Sequence, residues 1–162
     1  MDEPISKSQK KREADSLQKI GVALVELPLH KLELLPLSEH LRAAILEAKL
    51  LKSHGAMRRQ AQLIGKLMRY TDSAAIIAAY DQLLSEASAQ TANFHQVEQW
   101  REQLIHQGKE ALTQFLIQFP EVDSQHLRHL IKKAVTEQEK NQSLGASKAL
   151  FRFIKAHMDV KS

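Results

Sequence analysis

The sequence has no cysteine, which excludes disulfides, thiolate metal ligands and cysteine nucleophiles at once. It is also poor in turn formers: five glycines and four prolines among 162 residues leave little for the tight turns of a β-protein. The glycines stand singly, at Gly21, Gly55, Gly65, Gly108 and Gly145, so there is no phosphate-cradling loop and no dinucleotide fingerprint. No run of about 18 apolar residues occurs, and no segment is expected to span a bilayer. Residues 1–12 are polar and lack the apolar stretch of a signal peptide, so the expected location is the cytoplasm. Rings are few, with one tryptophan, two tyrosines and five phenylalanines read mostly as core. That argues against the stacking platform used by single-strand binders and favours recognition of the backbone and shape of structured RNA.

What remains is rich in Ala, Leu, Gln, Glu, Lys and Arg, the residues a helix tolerates best. Apolar positions at helical spacing predict a first helix opened by Ser6 as N-cap, with Gln9 completing a capping box, and closed before Pro28. Leu29, Leu32, Leu34 and Leu35 lie between two prolines, as a short helical turn or an extended link, and are read as core. Ser38 is expected to cap a second helix to about Ser53, and a third runs from about Ala56 to Tyr70. Asp72 or Ser73 caps a long pattern reaching Gln107, with Gly108 beyond its end. Three shorter helices follow, one from Lys109 to Phe119, one capped by Asp123 and one capped by Ser147. The expected architecture is all-α, with two small three-helix lobes joined by a long central helix. An N-terminal lobe covers 1–72, the connecting helix 73–107 and a C-terminal lobe 108–162.

The net charge of +4 conceals a strong segregation. Residues 1–70 hold 13 Lys/Arg against 8 Asp/Glu, a net of +5; residues 71–126 hold 2 against 8, a net of −6; residues 127–162 hold 8 against 3, again +5. Between Glu47 and Asp72 there are six cations and no acid: Lys49, Lys52, Arg58, Arg59, Lys66 and Arg69. At about 100° per residue, Met57, Ala61, Ile64 and Met68 share one face, while Arg58, Arg59, Lys66 and Arg69 fall opposite with Gln62 among them. Gln60 and Gln62 are expected to reach sugars or base edges. Gly65 marks either close backbone approach to a ligand or close helix packing. The later helices repeat the arrangement, with Arg128 and Lys132 outward on one and Lys148, Arg152 and Lys155 outward on the next. Lys10, Lys11 and Arg12 lie in the first turns of a helix, where cations oppose the macrodipole, so local helix stability does not explain them. A single charged face is what any solvated helix presents. Several of one sign, with the acids concentrated elsewhere, point to a polyanion whose phosphates they neutralise.

Catalytic constellations are missing. His95 and Glu98, and His126 and His129, are spaced three apart, but no second pair of matching geometry suggests a metal site. Serine, histidine and aspartate occur without a nucleophile turn or a triad order. No enzyme, cofactor, metal or small-molecule substrate is expected. Two other classes compete with RNA binding: a helical adaptor for an acidic protein partner, and a DNA-binding regulator. The second lacks a short helix-turn-helix with a polar recognition helix.

One block is more specific than its charge. Leu41-Arg42-Ala43-Ala44-Ile45, followed by the run from Arg58 through Gln60, Gly65 and Lys66 to Arg69, closely resembles the bacterial YjgA family, also called DarP, of dual-action ribosomal maturation proteins. Phe94-His95 through Glu98 to Arg101 and Gly108 is similar to that family too, as are Gln125 to Ile131 and Ser147-Lys148 with Leu150-Phe151. The resemblance covers about Ile5 to Met158. It implies an all-α factor that joins the precursor of the large (50S) ribosomal subunit late in assembly and helps 23S rRNA near the peptidyl transferase centre to mature. Some members carry an acidic N-terminal extension; here only Asp2 and Glu3 stand before the matching part. The expected partners are thus 23S rRNA and the precursor or mature 50S subunit, with no membrane. The expected rRNA-binding residues are Arg58, Arg59, Lys66, Arg69, Arg128, Lys132, Lys148, Arg152 and Lys155, then Lys10, Lys11 and Arg12.

Overall fold

The computed structural model describes residues 4–160; Asp2 and Glu3 lie outside that range. Among the described residues there are eight α-helices and no strand, so the protein is all-α. They are α1 (Lys7–Val25), α2 (Leu29–Leu32), α3 (Glu39–Ala48), α4 (His54–Arg69), α5 (Ser73–His106), α6 (Lys109–Gln118), α7 (Ser124–Glu139) and α8 (Ala146–Asp159). None is long and apolar enough to cross a membrane. The chain divides into two compact units, Met1–Glu86 and Ala87–Ser162, and the 34-residue α5 contributes to both.

The caps explain most of the boundaries. The hydroxyls of Ser6, Ser38 and Ser53 and the carboxylate of Asp72 each accept a backbone N–H three residues on, satisfying donors that a helix start leaves free. Asp123 accepts from Gln125 and His126 at the start of α7. Only half of the capping box forms at α1, because the Gln9 amide reaches forward to Glu13 at 3.3 Å. Ser53 starts α4 at His54, two residues before the periodicity suggested. Gly108 takes φ +58° to turn the chain between α5 and α6, a conformation that costs a residue without Cβ little.

Ser147 does not cap α8. The helix starts at Ala146, two residues earlier than such a cap would place it, after Gly145 at φ +93°. Its capping acceptor comes from α7, where a carboxylate oxygen of Glu137 accepts from the backbone N–H of Leu144 at 3.2 Å and of Ala146 at 3.0 Å. With that acceptor in place, Ser147 is an exposed residue of the first turn.

The first unit packs α1, α3 and α4 around Leu24, Leu41, Ile45, Ile64 and Met68, with Ile76 of α5. The leucines between the prolines divide: Leu32 and Leu35 are buried in this core, whereas Leu29 and Leu34 are exposed, because the one-turn α2 turns only one side inward. At the α1–α4 crossing two glycines let the helices approach closely. A Cβ on Gly21 would stand 2.5 Å from the Ile64 Cγ2, and one on Gly65 would stand 2.9 Å from the Gln18 Cβ. Gly65 therefore serves helix packing. The second unit gathers Val97 and Leu104 of α5 with Phe115, Leu127, Leu150 and Ile154. There Trp100 stands edge-on to Phe115 with ring centroids 5.1 Å apart, and Asn93 donates to Asp159 at 2.7 Å.

Candidate nucleic-acid interface

The helical period determines which cations of α4 stand outward. Ile64 and Met68 are fully buried, and Arg58, Arg59, Lys66 and Arg69 on the opposite arc are all exposed together with Gln62. No carboxylate among the described residues forms an ion pair with any of them. Their charge is thus left for the solvent or for a partner.

Two other residues of the segment have different tasks. Gln60 is buried, and its amide donates to the Ala44 carbonyl at 2.8 Å and lies 3.5 Å from Glu47 Oε2. It ties α4 to α3 and cannot reach a sugar or a base edge, contrary to the sequence expectation. Lys49 is half-buried, and its ammonium donates to the carbonyls of Val25 and Leu27. A cation at the end of α1 satisfies carbonyls that the helix leaves unpaired and complements its dipole. Its charge belongs to the fold.

That contact also sets the direction of packing. Lys49 places the end of α3 at the end of α1, and α4 begins shortly afterwards at Ser53, then passes Gln18 at Gly65. Helices α1 and α4 therefore run antiparallel, and the first turns of α1 extend toward the end of α4 that bears Lys66 and Arg69. Lys11 is seven residues before Gln18 and so on nearly the same face of α1. Gly65, which faces Gln18, lies on α4 next to the line of Arg58 and Arg69. Lys10, Lys11 and Arg12 are exposed in the first turns of α1, and of the three Lys11 lies on the face that follows Gln18 toward the end of α4. Tyr70, next in sequence to Arg69, is 80% exposed, so it is not one of the buried rings expected from sequence.

In the second unit, Arg128 and Lys132 of α7 and Lys148, Arg152 and Lys155 of α8 are all exposed, while Leu127, Leu150 and Ile154 are buried behind them. Lys133 and Lys140 are exposed on α7 as well. The sequence reading passed over them, although their spacing of seven, in line with His129, is a helical signal. His95 lies 3.3 Å from Glu98 and His106 lies 3.2 Å from Glu102 on α5. No group of three or more metal-ligating side chains gathers among the described residues. What the surface offers chemically is two sets of unpaired cations on rigid helices.

The sequence family described as "Dual-action ribosomal maturation protein DarP" matches residues 3–155 of this chain. The chain belongs to the DarP family. Relatives in that family include a protein of Methylobacillus flagellatus, 42% identical over 154 residues that make up 95% of this chain and 85% of the relative. One of Thiobacillus denitrificans is 42% identical over 94% of this chain and 86% of its own. One of Edwardsiella ictaluri is 41% identical over 93% and 82%. Each is described as a dual-action ribosomal maturation protein DarP. The DarP match includes α1, α4, α7 and most of α8, the helices that carry the cations described above.

Proposed function

We propose that this chain is a ribosome biogenesis factor that binds the late-assembling 50S subunit and promotes maturation of 23S rRNA around the peptidyl transferase centre. It acts in the cytoplasm, by binding alone. The observation that carries the reading is the α4 face, four exposed cations without a carboxylate partner among the described residues. Membership of a family whose relatives are described as ribosomal maturation proteins supports a ribosomal polyanion over any other.

The mechanism needs no reacting group. A fixed array of cations binds most tightly to the rRNA conformation whose phosphates match its spacing, and so shifts the population toward that conformation. To move a balance from one part in a hundred to ninety-nine, the factor has to prefer the favoured fold by roughly 5.5 kcal/mol. A handful of phosphate contacts present in one conformation and absent in the other supplies energy of that order, and each contact releases counterions. Arg58, Arg59 and Arg69 bring forked donors suited to phosphate, and Lys66 brings a point charge.

The test is sedimentation of a cell lysate through sucrose gradients at low and raised salt, with immunodetection of this protein. Co-migration with large-subunit particles, lost as salt rises, is the expected result. Residence at the top of the gradient under both conditions would overturn the ribosomal reading. Co-migration that survives ribonuclease would favour an acidic protein partner.

A further inference from the structure

The turn between α7 and α8 presents an apolar side chain to solvent. Leu144 is 77% exposed, although Ala146, two residues on, is buried. The turn that holds it is well determined. Glu137 accepts the N–H of both Leu144 and Ala146, the Gln142 N–H donates to the Glu137 carbonyl at 2.8 Å, and Asn141 and Gly145 take positive φ. Leu144 is thus fixed outward by its backbone.

Concave surface lies on both sides of this turn. On one side a groove of about 700 Å³ is lined by Leu130, Leu144 and Ala149, with His129, Lys132, Lys133 and Lys140 around it. On the other a hollow of about 500 Å³ carries Arg101 and Lys148 together with Glu102 and Glu137, beside Ser143 and Ser147, so its formal charges balance. The Arg101 Nε is shielded from solvent without a hydrogen-bond partner, and the Glu102 carboxylate is 3.8 Å from it. Glu137 borders both spaces, but one of its oxygens is occupied by the turn's N–H groups. The groove that Leu144 lines is positive, three lysines against Glu137, and it is of a size that accommodates a compact organic group.

We propose that the α7–α8 turn is a wedge for an unstacked nucleotide of RNA: Leu144 packs against the displaced base at the apolar floor of the groove, and the flanking phosphates lie on Lys132, Lys133 and Lys140. This rests on the reading that the protein binds RNA. Apolar side chains held between cations are a known physical means of separating neighbouring bases, and single-stranded bulges and loops are where RNA exposes a base to be taken. The lysines alone would also suit an acidic peptide; the apolar floor beside Leu144, ringed by those lysines, suits a planar base flanked by phosphates, and a protein partner is one of the outcomes tested below.

The experiment uses the full-length protein and two fluorescent RNA hairpins, identical except that one has a single unpaired nucleotide in its stem. Binding is followed by anisotropy across a salt series. The expected result is that the bulged hairpin binds more tightly, by about tenfold if Leu144 is largely covered. Leu144→Ala should lose that advantage with the salt dependence unchanged, and Leu144→Met should keep it. Lys133→Ala and Lys140→Ala should weaken both hairpins and flatten the salt dependence. Since Leu144 is exposed, its substitution leaves the core intact, and an unchanged circular dichroism spectrum verifies this. Equal affinity for the two hairpins, indifferent to Leu144→Ala, would overturn the wedge while leaving RNA binding standing. Absence of binding to either hairpin would overturn both. Loss of co-sedimentation with large-subunit particles in Leu144→Ala, with hairpin binding unaltered, would assign the turn to a protein partner and overturn the proposal as well.

Discussion

Replacing the cations of one short segment by alanine, one at a time, should separate two classes that look alike in sequence. Arg58, Arg59, Lys66 and Arg69 are exposed and unpaired, so each replacement should leave stability within about 0.5 kcal/mol of the parent. Each should also make the dependence of log K on log salt shallower by about 0.7–0.9 for binding to a 23S rRNA fragment. All four together remove about three units of slope. Between 50 and 200 mM salt, a fourfold change, the parent should then lose about 60-fold more affinity than the quadruple variant. Lys49 should behave oppositely. Its ammonium donates to two carbonyls at the end of α1, so Lys49→Ala should cost about 2 kcal/mol and leave the slope unchanged. Urea denaturation followed by circular dichroism reads the first quantity, and filter binding at three salt concentrations reads the second. If the α4 variants keep the parental slope, the α4 face does not contact phosphate. If Lys49→Ala flattens the slope without destabilising the fold, the division into structural and binding cations is refuted.

Three further substitutions test the packing. Gly21→Ala and Gly65→Ala place a Cβ 2.5 Å from Ile64 Cγ2 and 2.9 Å from Gln18 Cβ, atoms fixed close to their backbones; overpacking of about 1–3 kcal/mol should outweigh a helix-propensity gain of about 1 kcal/mol. Gly55→Ala meets nothing within 4 Å and should be neutral or stabilising, so thermal melts that rank all three alike would refute the argument. Glu137→Ala removes the acceptor for Leu144 and Ala146 and should cost about 1–2 kcal/mol, visible as faster amide exchange at those two residues. Gln60→Ala should destabilise by about 1 kcal/mol through loss of its bond to Ala44 and leave RNA affinity unchanged; a drop in affinity without unfolding would return Gln60 to the interface.

The features legible in the sequence are those whose cause lies within one helical turn or two. Ser6, Ser38 and Asp123 cap helices whose accepted N–H groups are two or three residues away, and the outward arc of α4 follows from 100° per residue. The features that escaped depend on contacts across elements. Lys49 reaches back 24 residues to Val25, Gln60 reaches 16 to Ala44, and Glu137 reaches 9 to Ala146. Periodicity says which face a residue occupies but not what lies against that face. For this reason periodicity alone marks Gln60 as a binding residue and Ser147 as a cap, and the structure gives both other places. Lys133 and Lys140 depend on no long contact: with His129 they fall at helical spacing, a signal present in the sequence itself.

The glycine crossing of α1 and α4 bears on selectivity as well as on stability. With Ile64 and Met68 seated on the backbone at Gly21, and Gln18 on the backbone at Gly65, sliding or rocking would drive side chains into backbone, so the cations of one helix keep a fixed offset from those of the other. A flexible strand must give up conformational freedom to match such a template, whereas an RNA already folded to the right spacing gives up little. A larger residue at the crossing would remove no charge at all, yet the altered template would favour a different path of phosphates.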